Sequence, residues 1–304
     1  MSLRLPSFPP DWSFFEPARP PAGAHAVGLR LGDRRIVLTG LDGSLADLLL
    51  RRYAPFAGVA QGEAEGMTIR FSREPRENFI EPPERAERNP VLFDGDGRRF
   101  RYLGYRVAGC FDLDAATGCI LLAEDDYEPA DRAIENFLLA VAAWVARHAG
   151  GGLVHAAGAA REGRGYIFYG ASGAGKSTLA EAGARRGIAV SDDLSLVMPG
   201  RDGAMELVGN PFRRHLRSAP VADQGVPLAA GFRLIQGAPA RVERVPRIQA
   251  FAGLVANLPF VSDLLPRRPE FMATIERDFA ALPLAWLHFT LDDSFWDAIA
   301  EAGL

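Results

Sequence analysis

Residues 170–177 read Gly-Ala-Ser-Gly-Ala-Gly-Lys-Ser, a complete match to the G-x-x-x-x-G-K-[ST] pattern. This pattern constrains the fold because it needs a buried strand before it and a helix after it. GYIFYG precedes it as a short apolar, aromatic run, and STLAEAGARRG follows with helix-forming residues. Glycines 170, 173 and 175 let the backbone curl, so that successive N–H groups point inward, toward phosphate oxygens. The helix N-terminus adds partial positive charge. The expected ligand is ATP with magnesium, cradled by Gly170, Ala171, Ser172, Gly173, Ala174, Gly175, Lys176, Ser177 and Thr178. Lys176 is expected to reach the β- and γ-phosphates, and the Ser177 hydroxyl to complete the metal's coordination.

Composition sharpens that expectation at one position. Of 34 basic residues, Lys176 is the one lysine and the rest are arginine. A compact ammonium suits a tight phosphate-wrapping loop where a planar guanidinium fork does not. A net charge of −4 and a pI near 5.8 supply no global basic field for nucleic acid or anionic membrane. No apolar run approaches the roughly 20 residues that span a bilayer. The first residues carry no apolar core or small-residue cleavage site of a secretory signal, so a cytoplasmic location is expected. Cys110 and Cys119 fit no zinc spacing and read as small buried hydrophobes.

Along the chain, residues 1–24 form a proline-rich arm whose Trp12, Phe14 and Phe15 are expected to pin it to the body. Strand-like HAVGLRL and RRIVLTG follow, with a Gly-Asp turn between them, then a helical pattern over Leu45–Tyr53. Residues 75–90 read as a surface loop. Two strand pairs come next, turning at Gly95-Asp96-Gly97 and near Ala115–Gly118, then a strong helix at about 130–148. Past Gly150 the pattern changes: LVHAAGAA as a strand, GYIFYG, the loop, a helix at about 176–186, and IAVSDD. A helix near 268–281, a strand LAWLHFTL and a helix from Ser294 close the chain. The expected architecture is a strand-rich α+β domain over 1–150 followed by an α/β domain over 151–304.

Asp192 and Asp193 end the strand that follows the loop helix, 16 and 17 residues past Lys176. A parallel strand beside the loop's own strand would deliver them to the phosphate edge of the sheet. There one carboxylate can take a proton from an attacking hydroxyl while its neighbour orients the metal or its waters; the alternative is a turn or helix cap. His155, 15 residues before Gly170, lies on an apolar strand and reads equally as a core residue or as a catalytic one. After a strand-like ELVG come Asn210, Arg213, Arg214 and Arg217. One of Arg213 and Arg214 is expected to stabilise transferring phosphoryl charge, whereas Arg241, Arg244 and Arg247 read as a solvated face.

At His155, Gly170–Ser177, Arg186-Gly187 and Asp192-Asp193 the sequence resembles the C-terminal catalytic domain of HPr kinase/phosphorylase. The resemblance covers about 153–200. It implies a P-loop kinase core related to phosphoenolpyruvate carboxykinase. It also implies that His155 and Asp192 assist proton transfer at a serine hydroxyl and that Asp193 helps to bind magnesium. The family's Glu-Ile-Arg-Gly-Leu-Gly signature is replaced here by ELVGNPFRRHLRSA, and the first half does not resemble the family's regulatory domain. The layout GGLVHAAG, SDDLSLV, GNPF is more similar to HPr kinase-related proteins of peptide and natural-product modification. The expected activity is therefore transfer of the ATP γ-phosphoryl group to a serine of a peptide or small protein. A small-molecule hydroxyl kinase and a non-catalytic ATP-binding switch are the alternatives. A homo-oligomer is compatible with the family.

Overall fold

The computed structural model describes residues 20–59, 66–82, 91–95, 97–126, 128–212, 225–266 and 268–304. Most of the proline-rich arm, with Trp12, Phe14 and Phe15, lies outside them, as do residues 83–90 and the turn residue Asp96. The described residues form a mixed α/β structure with two large mixed sheets and seven α-helices. The chain divides into two compact units, 1–141 and 142–304. The divide falls inside a helix rather than at Gly150.

In the first unit the hairpin β1 (His25–Leu31) and β2 (Arg34–Leu41) is followed by α1 (Gly43–Arg52). Asp42 starts that helix by accepting the Leu45 N–H at 2.8 Å. Strands β3 (Ala57–Val59), β4 (Met67–Glu74), β5 (Leu92–Gly95), β6 (Arg99–Gly104), β7 (Val107–Asp112) and β8 (Thr117–Ala123) complete an eight-stranded sheet. Its order is β3-β1-β2-β4-β8-β7-β6-β5. Only the β2–β4 and β4–β8 pairs are parallel, which places β4 at the centre. Helix α2 (Ala130–His148) lies tight against β7, where a side chain at Gly109 would collide with the Phe137 ring. Arg52 ties α1 to α2 through Asp131 at 2.6 Å and Glu135 at 2.7 Å. Cys110 and Cys119 face each other across β7 and β8 as free thiols, their sulfurs 3.5 Å apart.

The second unit takes the end of α2, where Arg147 donates to the Gly151 carbonyl at 3.0 Å and pairs with Asp278. Its strands are β9 (Gly152–Val154), β10 (Ala156–Arg161), β11 (Arg164–Tyr169), β12 (Ile188–Ser191), β13 (Ser195–Pro199), β14 (Met205–Val208), β15 (Val226–Gln236), β16 (Arg241–Glu243) and β17 (Leu284–Phe289). The order runs β12-β10-β11-β15-β14-β13-β9, with β17 pairing both β15 and β16. Helices α3 (Lys176–Gly183), α4 (Arg247–Val255), α5 (Val261–Leu264), α6 (Glu270–Asp278) and α7 (Phe295–Glu301) complete the unit. Alternation along β11 builds a core on each face of the sheet. Tyr166 and Phe168 pack with residues of α3 and α7, while Ile167 and Tyr169 pack with residues of α4, α5 and α6.

Two expectations are corrected here. LVHAAGAA is two strands, because the chain leaves β13 and joins β11 and β12 at His155. The strand that carries the acidic pair is also not beside β11: β12 pairs with β10, which runs antiparallel between them. Two antiparallel steps restore the direction, so β11 and β12 still end at the same edge. The sheet neighbour that runs parallel to β11 is β15. Among the described residues no helix is long and apolar enough to cross a membrane.

Candidate functional site

The loop at 170–177 leaves the C-terminal end of β11 and enters α3 at Lys176. Gly173 and Gly175 take φ of +80° and +95°, the left-handed region in which side chains are strained. At Gly175 there is also no room, since an added Cβ would lie 2.7 Å from the Phe289 ring. The loop is braced by the Ala174 N–H to the Ala171 carbonyl at 3.1 Å and by Gln236 Nε2 to the Gly173 carbonyl at 3.2 Å. Ser172 and Thr178 are exposed.

Lys176 is buried, and its ammonium folds back over the loop to donate to the Gly170 carbonyl at 2.9 Å and the Ala171 carbonyl at 3.2 Å. Burial depresses its pKa below the ordinary lysine value, and the charge of Asp193 acts in the opposite sense. The Ser177 hydroxyl is 3.5 Å from the Asp192 carbonyl, so the first turn of α3 lies against the acidic segment.

The acidic pair sits in a paired chain break. Between β9 and β10 one residue, His155, bridges two strands; between β12 and β13 the bridge is Asp192-Asp193-Leu194. Because β9 pairs β13 and β10 pairs β12, the breaks face each other, and His155 Nε2 meets Asp193 Oδ1 at 2.9 Å. Asp192 is 1% exposed, while the Asp193 side chain is 19% exposed and that of His155 43%. Asp193 thus meets an imidazole and feels the Lys176 charge while keeping partial access to solvent, and Asp192 is buried.

Of the groups that hold this corner, sequence reading named His155 and Asn210 but not Ser195 or Gly158. Ser191 and Ser195, both fully buried, share a hydroxyl contact of 2.6 Å, and Ser195 donates to the Ala156 carbonyl at 3.0 Å. Gly158 passes over them with no space for a side chain, since a Cβ would lie 2.7 Å from Ser191 Oγ and 2.9 Å from Ser195 Oγ. Asn210, also fully buried, donates to the Leu194 carbonyl at 3.0 Å and accepts the Phe212 N–H at 3.0 Å. The His155 N–H donates to the Asn257 carbonyl at 2.7 Å. The one visible signal for these was a run of small and polar residues beside the acidic pair. Arg213, Arg214 and Arg217 lie outside the described residues. Of the second basic group, Arg247 begins α4 and donates to the Phe279 carbonyl at 2.8 Å, a structural role.

A glycine-curled loop, a single buried ammonium and a His-paired carboxylate thus share one strand edge of an α/β unit. Residues 121–262, a little under half of the chain, match the family model described as SynChlorMet cassette protein ScmC. The chain is similar to that family across the loop, the acidic pair and α4. No curated protein matches the chain.

Proposed function

We propose that the protein is an ATP-dependent kinase of the HPr kinase-like type that phosphorylates a hydroxyl group, specifically a serine of a peptide or small protein. The observation that carries this reading is Asp193, 2.9 Å from His155 and electrostatically coupled to Lys176 at the edge where the loop opens. The residues fit the ligand: left-handed glycines at 173 and 175 let the loop curl as a phosphate cradle requires, and Lys176 is poised over the loop.

Burial favours giving Asp193 the base role that the sequence assigned to Asp192. An acceptor hydroxyl must reach its base within hydrogen-bond distance. Asp192, 1% exposed, offers no approach, whereas Asp193 does. Asp193 is therefore the base in this reading, and His155 holds its carboxylate in place. Ser177 would hold the magnesium; its hydroxyl lies 3.5 Å from the main-chain carbonyl of Asp192. Bound magnesium neutralises charge on the β- and γ-oxygens. Lys176 does the same from the loop, and Arg213 and Arg214 belong to the reading as further partners for the transferring group. They directly follow Phe212, whose N–H Asn210 anchors beside Leu194.

The test is labelled-ATP transfer to serine peptides beside equilibrium ATP binding. Asp193→Asn is expected to keep ATP affinity and to lose about 10²–10⁴-fold in transfer rate, the range of general-base catalysis. Transfer by that variant at the wild-type rate would refute the assignment. ATP binding with no transfer by the wild-type protein would leave the nucleotide-switch alternative instead.

A further inference from the structure

Gly170 and Ala171, whose carbonyls hold the Lys176 ammonium, also form one wall of a pocket of about 650 Å³. The opposite wall is α4 and the turn after it, where Ala252, Gly253 and Ala256 present a smooth surface. Lysine in such a loop attends the β- and γ-phosphates. The pocket therefore opens at the terminal-phosphoryl end of the cradle, where an acceptor must enter. A second link points the same way: Asn257, which lines the pocket, accepts the His155 N–H at 2.7 Å. The volume falls within the roughly 300–1,000 Å³ usual for ligand sites.

Its chemistry is one-sided. Among the described residues Gln249 and Asn257 are neutral amides, no carboxylate lines it, and the one charge is Arg233. β15 carries Arg233 opposite Tyr169, the last residue of β11, and opposite Trp286 of β17. The guanidinium lies over the Trp286 ring at 5.4 Å, and among the described residues it makes no ion pair with a carboxylate. Stacking fixes the plane of an arginine while leaving its edge donors free for a bidentate partner. Trp286 Nε1 is buried and also lacks an acceptor.

We infer that this pocket is the acceptor subsite and that it selects an acceptor bearing a carboxylate close to the reacting hydroxyl, held by Arg233. This rests on the kinase reading above and adds the substrate's chemical class. The carboxylate can come from an acidic side chain or from a peptide C-terminus; both offer the same fork.

Equilibrium binding of four short probes tests it without turnover. They are N-acetyl-Ala-Ser-Asp-amide, its Asn and Lys counterparts, and N-acetyl-Ala-Ala-Ser as the free acid. At least one acidic probe is expected to bind about tenfold more tightly than the Asn peptide, the scale of one charge-assisted hydrogen bond. Which acidic probe does so identifies the carboxylate source. Arg233→Gln should bring the acidic and Asn affinities together, and Arg233→Glu should move the preference to the Lys peptide. Arg233 is exposed, so neither variant threatens the fold. Equal affinities for all four probes, no binding of any, or an acidic preference that survives Arg233→Gln would overturn the inference. Since no transfer is measured, failure of the kinase reading shows separately, in the Asp193→Asn assay.

Discussion

Gly158→Ala probes the corner that holds the acidic pair without touching a proposed catalytic group. The new methyl would sit 2.7 Å from Ser191 Oγ, 2.9 Å from Ser195 Oγ and 3.1 Å from Leu207 Cδ1, all in fully buried surroundings. All three are side-chain ends held in a packed, fully buried core, so the serines and Leu207 must turn away or the strands must part. Overpacking of this kind costs about 1–3 kcal/mol. Displacing the Ser191–Ser195 contact adds about 1 kcal/mol for the lost hydrogen bond. A total of about 3 kcal/mol corresponds to a fall of roughly 6–12 °C in thermal midpoint for a unit of this size. Scanning fluorimetry reads that shift. Ser191→Ala in the same chain removes the nearest clashing atom and leaves the Ser195 bond to Ala156 intact. The pair should therefore be more stable than the sum of the single effects by about 1–2 kcal/mol. A Gly158→Ala midpoint within about 1 °C of wild type, with no coupling to Ser191, would refute the steric argument.

Gly175→Ala places a side chain at φ +95° and against the Phe289 ring, so a loss of about 2–4 kcal/mol is expected, together with ATP binding; calorimetry would measure both. Lys176→Arg should also abolish ATP binding while leaving the circular dichroism spectrum unchanged, because the wider guanidinium does not fit over Gly170 and Ala171. Asp42→Ala removes the cap of α1 at a cost of about 1 kcal/mol. The Ser44 hydroxyl and then the Leu45 N–H hold the Asp42 pKa below its ordinary 3.8. That stabilisation is complete above the ordinary value and is lost as pH falls through the lowered one. Denaturation curves of the two proteins should therefore differ at neutral pH and converge in acid.

The legible parts of the fold were those with local signals. A Gly-Asp turn joins the hairpin β1–β2, and the α2 stripe spans Ile134, Leu138, Val141 and Val145. Strand β4 has the alternation of Met67, Ile69 and Phe71 with polar residues that marks a half-buried strand, although the sequence reading assigned no element there. Strand β15 carries Pro227 and Gly231, which count against a central strand. Gly231 is fixed there because Leu284 and Ile167 come too close for a larger residue. Within the site, Gly170–Ser177 is one contiguous motif and could be read directly. The His155–Asp193 contact spans 38 residues and depends on two strand breaks coinciding, which no spacing rule encodes. Arg233 carried no signal, since its importance comes from its sheet neighbours.

The end of α2 sets where this chain can be cut. A fragment that begins at Gly151, where the glycines suggest a seam, lacks Arg147 and leaves the largely covered Asp278 carboxylate with Arg277 as its one remaining cation among the described residues. It also strips Trp144 from the Phe271 ring, 5.9 Å away between centroids. Anyone expressing the loop-bearing half alone should start upstream of Ala142 and keep the last turns of that helix, or the preparation will carry an exposed apolar wall and lose the Arg147 partner of Asp278.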